Sequence, residues 1–413
     1  MTQHPSHYVE EARLSRRIEA MACIGATDKG GVNRQALSAE DILALKEMVR
    51  WGAELGLSAS IDPAGNFFLR LRGRDDQAEP VLSGSHLDSQ PTGGKYDGAF
   101  GVLAALEAVE AIKASGIQLR RHIDIVAWMN EEGSRFAPGM AGSAAFSHAR
   151  SLEEIRQVVD AQGMSVGQAL DAAREALRTL PMRALGFPIA SYVEAHIEQG
   201  PVLEKENISI GVVTGIQGKK TYLITVTGEA AHAGTSCRAE RKDALLSSVA
   251  IIQALAAHLH DKEDIVKFTV GRLSVQPNAP SVVPSKVVFS IDLRHPDSEV
   301  LSAMGDAIHD ICPAHAGPCE VAVEALSSAA SLRFSPQIQK KITETAHRLG
   351  LTSRDINSAA GHDARYLNEV APSGMIFVPC HLGITHNEAE FTLPRDLANG
   401  ARVLADVLAD LAA

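Results

Sequence analysis

The chain has 413 residues, 45% of them hydrophobic, and 39 Lys plus Arg against 50 Asp plus Glu give a net charge of −11. That length suggests two or three domains, and the apolar content is that of a globular protein. No long basic run is present, which argues against nucleic acid as a partner, and no apolar stretch approaches a bilayer span.

The N-terminal segment MTQHPSHYVEEARLSRRIEA lacks an apolar core followed by a small-residue cleavage site, so a secretory leader is not expected. Residues 8–22 and 38–57 read as amphipathic helices. In the second, Ile42, Leu45, Met48 and Val49 recur at helical spacing, and Ser38 with Asp41 has the form of an N-terminal cap. Residues 61–71 alternate weakly, as a strand or hairpin does. Pro80–His86 is a short buried strand ending in polar residues. Gly98–Ile112 is a helix rich in Ala and Leu, and Ile123–Met129 is a second strand, leading into Asn130-Glu131-Glu132. Strands alternating with helices predict an α/β sheet covered on both faces, with ligands beyond the carboxyl ends of the strands.

Residues 151–185 read as a polar helical cap over part of that sheet. From about residue 211 the pattern changes. Residues 221–227 and 286–294 alternate cleanly around a helix over 241–259, which predicts a small α+β insertion with one solvated sheet face. Residues 336–350 and 391–413 are further helices. Cys23, Cys237, Cys312, Cys319 and Cys380 form no Cys-x-x-Cys pair. Their odd number and scatter fit a reducing cytoplasm. Cys312 and Cys319 read as two free thiols, with pairing as the alternative.

Four polar constellations carry chemistry. In the first, His86 leaves a strand, where its imidazole can meet a metal, and Asp88 is placed to hold the ring's other N–H. Asp97, in a Gly-rich turn at a helix start, is placed either to bridge two ions or to cap the helix. The second is Glu131-Glu132. Adjacent carboxylates after a buried strand are costly without positive charge nearby. One can bind a metal while its neighbour takes a proton from water; a solvated turn is the alternative. The third is His196 in Glu-Ala-His-Ile-Glu-Gln-Gly, which taken singly is more often a core or surface histidine than a ligand. The fourth is His386, after the apolar run Met375–Pro379. A set of three His, an Asp and a Glu suits Zn²⁺, Mn²⁺ or a similar ion rather than Ca²⁺ or Mg²⁺.

The stretches GSHLDSQPTGGKYDGAFGVLAALE, NEEGSRF, EAHIEQGPVLE, AHAGT, FSIDLRHP, AAGHDA and MIFVPCHLGITHNEAE follow one another from about residue 81 to 391. In this order they resemble the amidase, hydantoinase and carbamoylase branch of the M20-like dinuclear metallohydrolases. The resemblance implies an aminopeptidase-like mixed-sheet catalytic domain, 1–211 with 329–413, and a smaller α+β dimerisation lid, 212–328. It implies two divalent ions, Zn, Mn or Co. His86, Asp97 and His196 would hold one, and Asp97, Glu132 and His386 the other, with Asp97 as the bridge and Glu131 as general base. Two ions so bridged lie roughly 3.5–4 Å apart.

His232 would reach the partner's active site in a homodimer and polarise the carbonyl oxygen. Asn278 and Arg294 would clamp a substrate carboxylate, although Arg294 is equally placed to pair with Asp292 or Glu240. Gln199, Gly361 and His362 would lie at the same pocket. The peptidase relatives usually carry an acid where His196 stands, so a small ureido substrate is expected rather than a peptide. The implied reaction is hydrolysis of N-carbamoyl-L-amino acids to amino acid, ammonia and CO₂. Allantoate or β-ureidopropionate are the nearest alternative substrates; a dipeptidase or a catalytically silent binding protein is more remote. The chain departs from the pattern at Ser236-Cys237-Arg238, where relatives often have Thr-Pro-Met after the AHAG stretch, and at Ala359-Ala360. Both bear on substrate identity.

Overall fold

The computed structural model describes residues 4–413; Met1–Gln3, where the segment read as lacking a leader begins, lie outside the described residues. Two compact units divide the chain, Met1–Thr214 with Phe334–Ala413, and Gly215–Arg333.

The first stretch of chain gives α1 (Glu11–Ala22), α2 (Ala39–Glu54), β1 (Ser58–Ile61), β2 (Phe67–Leu71), β3 (Val81–His86), α3 (Ala99–Ser115), β4 (Ile123–Trp128), α4 (Ala141–Phe146), α5 (Leu152–Gln157), α6 (Val166–Ala176), β5 (Ser191–Ile197), α7 (Val202–Glu206) and β6 (Ile210–Ile216). Next come β7 (Gly218–Thr227), β8 (Ala231–His232), α8 (Ala244–His258), β9 (Lys267–Gln276), β10 (Val282–Val283), β11 (Lys286–His295), α9 (Ser298–Ala314), β12 (Glu320–Ala329) and β13 (Leu332–Arg333). The chain closes with α10 (Pro336–Arg348), β14 (Ser353–Ser358), α11 (Ala364–Leu367), β15 (Ser373–Val378) and α12 (Pro394–Ala412).

In the larger unit the sheet runs β1-β2-β4-β3-β5-β15-β6, with β14 also on β6. The central strands β4, β3, β5 and β15 are parallel, while β2 and β6 flank them antiparallel. Every residue of those four strands is buried, as a sheet covered on both faces requires. Because they are parallel, their carboxyl ends share one edge. His86 is the last residue of β3 and His196 the penultimate residue of β5.

One face of the sheet packs α3 and α12 in the main core, with α1 and α2 beside them. Ser38 caps α2 by accepting from the Asp41 N–H at 3.2 Å. The other face carries an aromatic cluster of Phe68, Trp128, Phe146, Phe187 and Tyr192. The 151–185 region forms α5 and α6, whose apolar residues pack with Met129 and Phe136. Among the described residues no helix is long and apolar enough to cross a membrane.

The smaller unit is a four-stranded antiparallel sheet, β12-β7-β11-β9. On β11, Val287, Phe289, Ile291 and Leu293 point inward at period two and join α8 and α9 in one core. Cys312 and Cys319 are buried there as free thiols.

Candidate metal centre

The strand edge brings four sequence-distant segments into one cluster, buried at His86, Asp97 and His196, half-buried at Glu132 and exposed at His386. His86, Asp97 and His196 bring three donor atoms within 4.8 Å of one another, and Asp97, Glu132 and His386 do the same. Asp97 uses a different oxygen for each trio. Its Oδ1 lies 3.2 Å from His196 Nε2 and 3.8 Å from His86 Nε2. Its Oδ2 lies 3.3 Å from His386 Nε2, which is also 3.3 Å from Glu132 Oε2. One carboxylate thus faces two donor sets.

Local structure fixes these orientations. The N-cap of α3 is Gly98, not Asp97, and no side chain caps the helix, so the capping alternative for Asp97 does not apply. Gly98 sits at φ +64°, and a Cβ there would stand 2.3 Å from the His86 ring. Only glycine lets the helix start against that imidazole. Asp88 holds the His86 ring through its main-chain carbonyl oxygen, 2.8 Å from Nδ1. The carboxylate instead accepts the main-chain N–H groups of Glu131 and Glu132, both at 3.1 Å. Asp88 therefore shapes the acidic pair, and its main chain aims the histidine. His196 Nδ1 meets the Ile197 carbonyl at 2.9 Å. In both rings Nδ1 donates to a carbonyl oxygen, which leaves Nε2 as the nitrogen that faces inward.

Burial drives the electrostatics. It pushes Glu131 well above the usual carboxylate range, with Asp363, Glu132, Asp88 and Asp97 adding repulsion. Burial and Asp97 push Glu132 up to about 8. Burial alone would raise Asp97, but hydrogen bonds from His196 and His386 hold it well below its ordinary value. Burial lowers His86 to about 4. A set of crowded acids packed with inward-facing imidazoles around one shared carboxylate is unfavourable as it stands. Divalent cations would satisfy every one of these groups, so the residues fit a metal centre.

The other expected residues fall as follows. Gln199 Nε2 donates to Asp97 Oδ2 at 2.9 Å, while its Oε1 is buried without a hydrogen-bond partner among the described residues. His362 is buried, its ring 4.6 Å from that of His196, with Nε2 on the Ser358 hydroxyl at 2.9 Å. Gly361 lies one residue before it, beside Met140. His232, Asn278 and Arg294 belong to the smaller unit. Arg294 forks onto Asp292 at 2.8 and 3.2 Å, which is one of the pairings its strand position allowed. Sequence reasoning did not single out Gln90, whose amide donates to Glu132 Oε2 at 2.7 Å. It also passed over Thr385 and Glu390, which contact Asp97 from the His386 loop. All three stand inside the quoted motifs; their chemistry was visible but their partners were not.

The His/Asp/Glu centre lies at the carboxyl edge of a mixed α/β sheet, and the comparisons give its class, a hydrolase of carbon–nitrogen bonds. The model of peptidase family M20/M25/M40 matches residues 82–410, and the chain belongs to this family. It is 38% identical over 401 residues to an N-carbamoyl-L-amino-acid amidohydrolase of Rhizobium meliloti, covering 96% of this chain and 95% of that one. It is 34% identical over 399 residues to an allantoate amidohydrolase of Bacillus subtilis, covering 96% of each. Among solved structures, an amidase of the hydantoinase/carbamoylase family from Burkholderia multivorans superposes with a TM-score of 0.93 at 41% identity, over 98% of both chains.

Proposed function

We propose that this chain hydrolyses the ureido C–N bond of N-carbamoyl-L-amino acids. The observation that carries the reading is the double donor set around Asp97, with the His196 imidazole where peptide-cleaving relatives usually carry an acid. Two divalent ions, Zn, Mn or Co, held by His86, Asp97, His196, Glu132 and His386, would supply Lewis acidity toward water and the scissile carbonyl.

Glu131 is the general base. Its carboxylate, raised by burial and by neighbouring acids, takes a proton from the attacking water and returns it to the departing nitrogen. The new C–O bond replaces the C–N bond, ammonia leaves, and the resulting carbamate loses CO₂ to give the amino acid. Gln199 offers its unpartnered Oε1 to a ureido N–H. Gly361 and His362 border the same pocket, and His362 packs against His196.

His232 is the proposed donor to the carbonyl oxygen, acting from the partner subunit of a homodimer. Its Nδ1 accepts the N–H groups of Gly234 and Thr235 at 3.0 and 3.2 Å, so Nε2 keeps the hydrogen and presents it outward. Arg294 and Asn278 are the proposed carboxylate clamp, with the substrate competing against Asp292 for the Arg294 fork. The 212–328 insertion is the proposed lid and dimerisation domain. Leu246 and Val249 on α8, 61% and 42% exposed, supply apolar surface for that contact. Five free cysteines support a cytoplasmic setting.

The test is kcat/KM for ammonia release from N-carbamoyl-L-amino acids, allantoate and N-carbamoyl-β-alanine. The reading expects an N-carbamoyl-L-amino acid to rank first. Preference for allantoate, which the Bacillus subtilis relative's name raises, keeps the chemistry and replaces the substrate.

A further inference from the structure

Glu390 is buried and lies 293 residues from Asp97, yet it touches both loops that build the centre. Its Oε1 accepts the main-chain N–H groups of Tyr96 at 2.9 Å and Asp97 at 3.0 Å. Its Oε2 lies 3.0 Å from the Thr385 hydroxyl, immediately before His386. The fold makes room for it: a Cβ on Gly94 would stand 2.1 Å from Glu390 Oε1, so the Gly93-Gly94 turn closes directly around the carboxylate. The His386 loop is itself closed by a hydrogen bond from the His381 N–H to the Phe391 carbonyl at 2.8 Å.

We infer that Glu390 is a positioning residue that sets the spacing between Asp97 and His386, with Thr385 as its relay. The inference rests on the two-ion reading above. Counting hydrogens shows why the relay matters. The Thr385 hydroxyl lies 3.0 Å from both Asp97 Oδ2 and Glu390 Oε2, but a hydroxyl has one hydrogen. Gln199 Nε2 donates to Asp97 Oδ2 and faces the Thr385 oxygen at 3.3 Å. An ion on Asp97 Oδ2 removes that oxygen's need for the hydroxyl and frees the hydrogen for Glu390. Ion binding thereby tightens the link between the two loops.

Three variants test this: Glu390→Leu, Glu390→Gln and Thr385→Val. The Gln amide oxygen keeps both main-chain N–H bonds, and its NH₂ donates to Thr385. Leu keeps neither, and Val removes the relay alone. Mn²⁺ and Co²⁺ binding is measured calorimetrically on metal-stripped protein, with the Co²⁺ absorption spectrum and the melting temperature of each stripped variant alongside. Glu390→Leu and Thr385→Val should weaken binding at the Asp97–Glu132–His386 site by roughly 10–100-fold, the range for outer supports of metal ligands, and shift the Co²⁺ bands. Glu390→Gln should recover most of the affinity and the unaltered spectrum. Thr385→Val and Glu390→Gln carry the test if Glu390→Leu does not fold. Wild-type affinity and spectrum in Thr385→Val, or loss in folded Glu390→Gln as deep as in the Leu variant, overturns the inference. If the unmodified protein binds no ion, the two-ion reading itself fails, a distinguishable result.

Discussion

Asp97 is gripped through its main chain by Glu390 and through its side chain by Gln199, Thr385 and three imidazoles. Glu131 has a different surrounding: its main-chain N–H is tied to Asp88, and its Oε2 faces His86 Nε2 at 3.5 Å. The proposed roles follow that contrast, Asp97 holding ions and Glu131 transferring a proton. Replacing Glu131 with Gln keeps shape and removes basicity, so ammonia release should fall by about 10²–10⁴-fold while metal content by elemental analysis stays level. Unchanged turnover would remove Glu131 from the base role. Protonation gives a second prediction. The hydrogen bond to Asp97 raises His386 to about 9. His196 reaches about 9 because Asp97 outweighs the effect of burial, and Glu132 is raised to about 8, chiefly by burial. Each must be unprotonated to bind an ion, so protons and ions compete. Ion affinity should rise with pH through this range, with protons released on binding, as an indicator dye in weak buffer would show. A pH-independent affinity contradicts this assignment.

The four parallel strands place the chemistry, and one helix start refines it. Gly98 opens α3 against the His86 ring at φ +64°. Gly98→Ala should cost about 1–3 kcal/mol from the backbone alone, and it should also displace His86. Melting temperature and bound metal should therefore fall together; retention of full metal content in a folded Gly98→Ala protein would contradict the packing argument. Three of the four central strands were legible because apolar runs such as Ile123–Met129 and Met375–Pro379 end abruptly in polar residues, whereas β5 was not read as a strand, because Glu194 and His196 interrupt its apolar residues. The outer strands of the smaller unit, β9 and β12, were not legible. Their residues are mostly half-exposed or exposed, so neither face imposes a clear period. α9 did leave a signal that went unread: Leu301, Gly305, Ile308 and Cys312 are buried at helical spacing behind the Asp297 cap. Within the site, the ligand-type residues stood out as chemical types after strands. The role of Glu390 depends on a contact across 293 residues, and that of Asp88 on which of its atoms meets His86. Neither is encoded in local spacing.

The proposed function needs a metal centre in one unit and His232, Asn278 and Arg294 in the other. If His232 acts across a two-fold dimer, Glu131→Gln and His232→Ala proteins are each inactive alone, but a mixed dimer holds one intact site. Statistical exchange should restore about a quarter of wild-type activity, because half the dimers are mixed and each has one working site of two. No recovery under verified exchange would exclude action in trans. Whether ureido C–N hydrolysis depends on ions at Asp97 is decided by stripping the protein of metal. Ammonia release from an N-carbamoyl-L-amino acid is then followed before and after adding Mn²⁺, Co²⁺ or Zn²⁺. No release is expected from the stripped protein, and restored release on adding one of the ions. Equal release with and without metal, or silence toward every ureide while dipeptides are cleaved, would contradict the proposed function.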